Sequence, residues 1–297
     1  MHPGSALHGR QIGIEHEYVV YRQGRALDFR PLLEVVTEAV AAEASRPSPG
    51  LPPGTVVSAD EHEAEVALAP IPTSADFASR IDRAARCSRG WLRSTLSTTL
   101  GQGVWLEGVS THLNVSLPDR IVAPVAALIA TTFAPALVLL MDRPGSAGIL
   151  TRAHRGRLEL CGDFVAGRHL RASAVFALGA VLVAADAIGA GWPDRLPSLR
   201  LETRRVSRNP ARWSRVHWTK GAGFLRDGRA TAVTRSDGRA TTIGVHTADA
   251  WLAMRAALIE RVRLSDVTCV DRLIEGRDRL PLEADRDSDL DERWSCD

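Results

Sequence analysis

The sequence predicts an α+β fold in which helices cover one face of a β-sheet and polar residues line the other face. Three observations support this. Segments with the two-residue alternation of strands are interleaved with segments of helical spacing. Each of the four clearest strands has one apolar face and one face of carboxylates or imidazole. No phosphate-binding glycine loop follows a predicted strand, which argues against a doubly wound nucleotide-binding fold.

The predicted elements alternate along the chain. Strands are expected at residues 10–21, 56–69, 103–117 (interrupted near Gly108) and 157–161. Helices are expected at residues 29–44, 73–98, 119–141, 170–188 and 247–263. Residues 46–54 and 142–155 are predicted loops. An Arg-rich segment, residues 198–246, contains two Asp-Gly pairs, at Asp227 and Asp237, which are typical of hairpin turns.

Composition is that of an ordinary globular protein. The 297 residues are 45% hydrophobic and 24% charged, enough for a single domain over residues 1–275, followed by a fraying tail at 276–297. The net charge of +2 provides no field that would recruit nucleic acid, so that partner is not expected. Four widely spaced cysteines without a CxxC pair favour a reducing, cytoplasmic compartment.

Two apolar stretches are long enough to cross a membrane. Residues 121–141 carry no charge, and residues 172–192 carry only Asp186. Both are rich in Ala and Gly, and both adjoin strands with candidate site residues. Helices buried in a protein core are also apolar on every side. We therefore expect core helices and no membrane partner.

Alternation places the polar residues of each strand on one face. The sets are Glu15 and Glu17; Glu61, Glu63 and Glu65; His112, Asn114 and Ser116; and Arg157, Glu159 and Cys161. One interpretation is that these faces simply contact water. Clustered glutamates with few cations favour another, because two carboxylates ~4 Å apart repel by roughly 4 kcal/mol at an effective dielectric of about 20. Oxygen ligands with one imidazole suit Mg²⁺ or Mn²⁺.

The same strands carry a family resemblance. Residues 12–18 resemble the Gly-x-Glu-x-Glu first strand of the carboxylate–amine ligases related to glutamate–cysteine ligase, and residues 61–67 resemble their Glu-x-x-x-Glu-Leu-Ala strand. Residues 111–117 resemble the His-x-His-x-Ser-Leu strand of the glutamine synthetases, and residues 157–160 resemble Arg-Ile-Glu-Val. The motifs keep the family's order over roughly residues 10–163. The chain thus resembles the glutamine synthetase and glutamate–cysteine ligase superfamily.

The resemblance implies a curved antiparallel sheet around a funnel that binds ATP and Mg²⁺. One ion would be held by Glu15, His112 and Glu159, and another by Glu17, Glu61 and Glu65, with Glu63 able to replace either of the last two. Arg157 and Glu65 would be catalytic. Nucleotide phosphates would contact residues from the later loop and the Arg-rich segment, namely Arg152, Arg155, Arg205 and Lys220.

Two positions depart from the family pattern. Asn114 stands where the family has a second histidine, and Cys161 stands where it has an arginine that reads substrate charge. The standard glutamate pocket is therefore not expected. Cys161 is interpreted as a small buried hydrophobe rather than a nucleophile.

The function expected is ATP- and Mg²⁺-dependent amide or peptide bond formation through an acyl phosphate. Small carboxylates and amines are the expected substrates, a carrier protein or peptide is an alternative, and a homo-oligomer is expected. Two alternatives stay open: an amide hydrolase or phosphotransferase using the same metals, and a non-catalytic binding protein that uses the Arg- and Trp-containing residues 204–220.

Overall fold

A large antiparallel sheet organises the protein. The computed structural model describes residues 9–45, 51–143, 146, 148–200, 204–205, 216–220 and 227–281, with backbone alone at 43–45, 204–205 and 216–220. The strands of the sheet are β1 Gln11–Arg22, β2 Arg25–Leu27, β3 Val56–Asp60, β4 Glu63–Ala67, β5 Ile71–Pro72, β6 Val104–Ser116, β7 Gly148–His154, β8 Arg157–Asp163, β9 Arg204–Arg205 and β10 Val216–Lys220. The order is β3-β4-β1-β6-β8-β7-β10-β9, and β2 and β5 also pair with β1.

Helices cover one face of this sheet. They are α1 Leu33–Ser45, α2 Phe77–Leu100, α3 Asp119–Thr132, α4 Ala134–Met141, α5 Gly167–Ala190, α6 Ile243–Ile259 and α7 Leu264–Ile274. Ile12, Ile14, Leu113 and Leu158 are among the buried strand residues that pack with them. The predicted α+β class is confirmed.

The apolar segment α5 is a core helix. It is long and apolar enough to cross a membrane, but 78% of its most apolar stretch is buried within the protein. It contacts α2, α3, α4, α6 and α7. The prediction of a buried helix is confirmed here.

The predicted helix over residues 119–141 is two helices. α3 and α4 meet at Phe133 with a bend of 64°. Pro135 lies in the first turn of α4, where its missing N–H is tolerated and its fixed φ suits a helix start. The chain bends because α4 begins as a new helix after Phe133 rather than continuing α3.

Two other predicted elements are wrong. The predicted loop at 142–155 contains β7, whose Thr, Arg and His residues made the strand alternation weak. The predicted single strand at 56–69 is a hairpin, because Glu61 adopts φ 51° and turns the chain between β3 and β4.

The interruption predicted near Gly108 is a β-bulge. Glu17 pairs with Ser110, but Tyr18 pairs with Gly108, so Val109 is an extra residue in β6. A Cβ on Gly108 would lie 2.1 Å from Cγ of Phe164, so only glycine fits beneath this ring.

The C-terminal part of the described chain is mostly helical. Asp237 and Gly238 lie in the turn of a separate hairpin, β11 Ala232–Thr234 and β12 Ala240–Thr242, as predicted. Asp227 instead precedes a short 3₁₀ turn, so that predicted hairpin is wrong. Of the predicted tail, residues 276–281 pack on the protein, with Leu280 buried, and residues 282–297 lie outside the described residues.

Candidate functional site

Cross-strand pairing brings the polar sets together on the open face of the sheet. Glu15 on β1 pairs with His112 on β6, which pairs with Cys161 on β8. One step along, Asn114 pairs with Glu159. The sequence predicted the shared face of each strand, and the pairing places the faces side by side.

His112 lies at the centre of a carboxylate cluster. Its Nδ1 lies 3.2 Å from Oε2 of Glu15 and 3.3 Å from Oε1 of Glu159, and its Nε2 lies 3.6 Å from Oε1 of Glu17. Burial alone would lower the pKa of His112, but the hydrogen bonds to Glu15 and Glu159 and the charge of Glu17 outweigh it and raise the pKa to about 10. The three carboxylates therefore generate a strongly cation-attracting position.

Glu159 links this cluster to two basic residues of β7. Its Oε1 lies 3.3 Å from Nη1 of Arg152, and its Oε2 contacts Nε2 of His154. Burial opposes ionisation, yet the hydrogen bonds from His112 and His154 and the charge of Arg152 hold the pKa of Glu159 well below its usual range. Sequence reasoning did not place His154 beside Glu159, because residues 142–155 were predicted to form a loop. The strand β7 is what aims it at Glu159.

A second group of carboxylates lies beside the first. Oxygens of Glu17, Asp60 and Glu65 lie within 4.8 Å of one another. Burial, and then the charges of Glu15 and Glu17, raise the pKa of Glu65, although a 2.7 Å hydrogen bond from Ser58 opposes this. Burial and the charge of Glu17 likewise raise the pKa of Glu63.

Asp60 takes the position predicted for Glu61. Glu61 lies in the exposed β3–β4 turn, so the expectation that it shares a strand face with Glu63 and Glu65 is wrong. Sequence reasoning missed Asp60 because the turn that re-aims the chain depends on a left-handed residue, Glu61, rather than on a glycine.

The other predicted site residues lie further from the His112 cluster. Arg157 is exposed at the first position of β8, with the same alternation as Glu159. Arg155 lies in the β7–β8 turn, its side chain 95% exposed and 3.6 Å from Asp119. Arg205 and Lys220 lie on β9 and β10, with their side chains outside the described part of the structure.

The two departures from the family pattern have distinct surroundings. Asn114 donates from Nδ2 to Oε1 of Glu15 at 3.2 Å, and its buried Oδ1 has no hydrogen-bond partner among the described residues. Burial, followed by the charge of Glu159, raises the pKa of Cys161, so the thiol stays protonated. The structure therefore supports Cys161 as a small buried side chain.

The donor set fits hard divalent cations. Carboxylate oxygens with one imidazole are ligands typical of Mg²⁺ and Mn²⁺, and the protonated thiol of Cys161 is not. Oδ1 of Asn114, which has no hydrogen-bond partner among the described residues, adds an oxygen donor at the edge of the His112 cluster.

Comparison with known proteins identifies the fold. No family model and no curated protein matches the sequence. The structure of the ligase PafA in complex with the prokaryotic ubiquitin-like protein Pup matches with a TM-score of 0.52 and 14% identity, over 92% of this chain and 64% of that one. GmaS with ADP matches with a TM-score of 0.42 at 11% identity, over 92% of this chain and 71% of that one.

A glutamine synthetase from Plasmodium falciparum matches with a TM-score of 0.35 at 11% identity, over 90% of this chain and 71% of that one. The chain spans less than two thirds of the length of PafA. The similarity to the PafA structure shows that this chain and PafA share a fold.

Proposed function

We propose that this protein is an ATP-dependent ligase that joins a carboxylate to an amine with the help of divalent cations. The observation that carries the proposal is the convergence of Glu15, His112 and Glu159 from three neighbouring strands. Carboxylate oxygens of Glu15 and Glu159 both lie within 3.3 Å of Nδ1 of His112. The fold, shared with ATP-dependent carbon–nitrogen ligases, supports the same conclusion.

Two groups of residues would hold the cations. Glu15, His112 and Glu159 form the first, and Glu17, Glu65 and Asp60 form the second, with Asp60 in place of Glu61. Mg²⁺ or Mn²⁺ bound there would neutralise the charge of the ATP phosphates and fix the γ-phosphoryl group for transfer.

The basic residues of β7 and β8 suit the triphosphate. Arg152 lies beside Glu159, and Arg157 lies two residues before Glu159 on the same strand. We assign Arg157 to the transferring phosphoryl group, whose charge it would stabilise. Arg155, Arg205 and Lys220 are assigned to the remainder of the nucleotide.

Bond formation needs a proton acceptor near the amine. In the reaction proposed, the substrate carboxylate accepts the γ-phosphoryl group, and the amine nitrogen then attacks the acyl carbon and displaces phosphate. The nitrogen loses one proton in this step. We assign Glu65 as the acceptor, because it lies on the site face directly across from Glu17.

Substrates and setting follow the sequence-based expectations. We propose that the substrates are a small carboxylate and an amine, or a carrier protein or peptide. We also propose that the protein is cytoplasmic and forms a homo-oligomer. The replacement of the family arginine by Cys161, with its thiol protonated, removes a positive charge that would select an anionic substrate.

The test measures ADP release with ATP and Mg²⁺ against a panel of carboxylates and amines. Glu15→Gln should lower substrate-dependent ADP release at least about tenfold, since even the loss of a residue that orients a metal ligand costs about 10- to 100-fold in activity. Glu34→Gln, on the exposed face of α1, is the matched control. Mn²⁺ titration of both variants gives an independent readout. Wild-type-like Mn²⁺ affinity and ADP release in Glu15→Gln would refute the site.

A further inference from the structure

A stacked aromatic pair, in which one ring is exposed, lies at the end of the sheet face that carries the carboxylates. Tyr21 on β1 pairs with Trp105 on β6, and their rings stack with centroids 4.2 Å apart at an interplanar angle of 9°. Trp105 is 41% exposed, which is high for a large aromatic residue. Trp105 is therefore accessible to a ligand.

The β-bulge places this pair on the same face as His112. Regular alternation along β6 would point Trp105 and Glu107 away from the face that carries His112, because the sequence separations are odd. The extra residue Val109 reverses the alternation, and Glu107 consequently pairs with Val19 on the site face. At about 3.3 Å per residue, the four residues from Glu17 to Tyr21 span about 13 Å.

The surroundings of the pair are anionic. Glu107 accepts a hydrogen bond from the Tyr21 hydroxyl, which raises the pKa of Tyr21. Glu63 lies on the neighbouring strand β4, between this pair and Glu65. Arg22 and Arg25 pair with each other in register and, by alternation, lie on the opposite face from Tyr21.

The two ends of the site face therefore differ in charge. The basic side chains that contact Glu159 lie on β7, two strands from β6. The basic end of the face, at β7, would attract phosphates. The opposite end would attract a cation, because the face of the Trp105 indole ring and the carboxylate of Glu107 both attract positive charge.

We propose that Tyr21, Trp105 and Glu107 bind a positively charged group of the amine substrate, so that the substrate is a diamine or polyamine. One nitrogen would reach the carboxylates around Glu17 and Glu65, and a second charged nitrogen would lie on the Trp105 ring about 13 Å away. This inference rests on the proposed ligase function for the reacting nitrogen, but the binding of the second charge is testable without it.

The first test is spermidine binding by calorimetry at 0.15 M salt, without nucleotide or metal. Trp105→Ala should raise the Kd by about two- to thirtyfold, the range of cation–π contributions, and Glu107→Gln by about fivefold. Trp105→Phe retains a ring and should retain most of the affinity, and Glu107→Gln covers the case that Trp105→Ala does not fold. Glu34→Gln is the control for a general loss of negative charge. An unchanged Kd in Glu107→Gln, together with no more than a twofold change in Trp105→Ala, would overturn the inference.

The second test separates this inference from the ligase proposal. If spermidine binding depends on Trp105 and no amine stimulates ADP release, the cation site stands and the ligase proposal fails. If butylamine and spermidine stimulate ADP release equally, and Trp105→Ala leaves their kcat/KM ratio unchanged, the ligase proposal stands and the cation site is overturned. If Trp105→Ala lowers kcat/KM for spermidine at least fivefold and leaves that for butylamine unchanged, both are supported.

Discussion

The bulge at Gly108 provides the sharpest stability prediction. In Gly108→Ala, the new Cβ would lie 2.1 to 2.4 Å from three ring atoms of Phe164. Phe164 is only 3% exposed and packs on His16 and Tyr18, with ring centroids 4.7 and 5.5 Å away. The ring consequently has no open space into which it can move.

The sign and size of the effect follow from this packing. Overpacking a core typically costs about 1–3 kcal/mol, and expelling a buried phenylalanine altogether would cost about 3–5 kcal/mol. An unobstructed Gly-to-Ala change within a strand would instead stabilise by roughly 0.5–1 kcal/mol. We therefore expect Gly108→Ala to lower the free energy of unfolding by about 2–4 kcal/mol.

Urea denaturation of a small set of variants tests this. Gly189→Ala on α5 is the matched control, since a Cβ there meets nothing within 4 Å, and it should be neutral or stabilising by up to about 1 kcal/mol. In the Gly108→Ala background, Phe164→Ala should cost at least about 1 kcal/mol less than it does alone, because it removes the clash. A Gly108→Ala protein as stable as wild type, or strictly additive effects in the double variant, would refute the reasoning.

Two further predictions concern buried charges. Asp266 is fully buried and bound by Arg171, with Nε to Oδ1 at 3.0 Å, so Asp266→Asn should lower the free energy of unfolding by about 3–5 kcal/mol in urea denaturation. Arg272→Ala, which breaks a surface pair with Asp278, should have a much smaller effect. Equal costs would contradict the role of burial. Burial raises the pKa of Asp142 to about 7, so between pH 4 and 7 the folded protein keeps a proton that the unfolded chain has released. Stability should therefore fall by about 2 kcal/mol from pH 5 to pH 7, and Asp142→Asn should remove that contribution; an identical pH dependence in the variant would show that Asp142 is not the group responsible.

The polar faces of the strands were predictable from the sequence because side-chain alternation is a local property. Glu15 and Glu17 had to share a face whichever strands lay beside them. The break near Gly108 was likewise visible as an interruption of the alternation. The long apolar helix α5 could be assigned to the core from its composition and its neighbours in sequence.

Other features depended on turns and weak strands that carry little local signal. The strand β7 has few strongly β-forming residues, so His154 and Arg152 were placed in a loop. Glu61 turns the chain with φ 51°, a conformation that its residue type does not favour, and Asp60 occupies the position expected for it.

The sequence by itself determined which side chains share a face, which segments are buried, and which residue types could bind a divalent cation. Only the tertiary structure decided that Glu15, His112 and Glu159 are neighbours, because strand order and register arise from pairing between residues about 40 to 100 positions apart. The tertiary structure also decided that Tyr21 and Trp105 lie on the same face as that cluster. A single extra residue in β6 reverses the alternation of side chains there. That this residue is extra becomes apparent only when β6 is paired with β1.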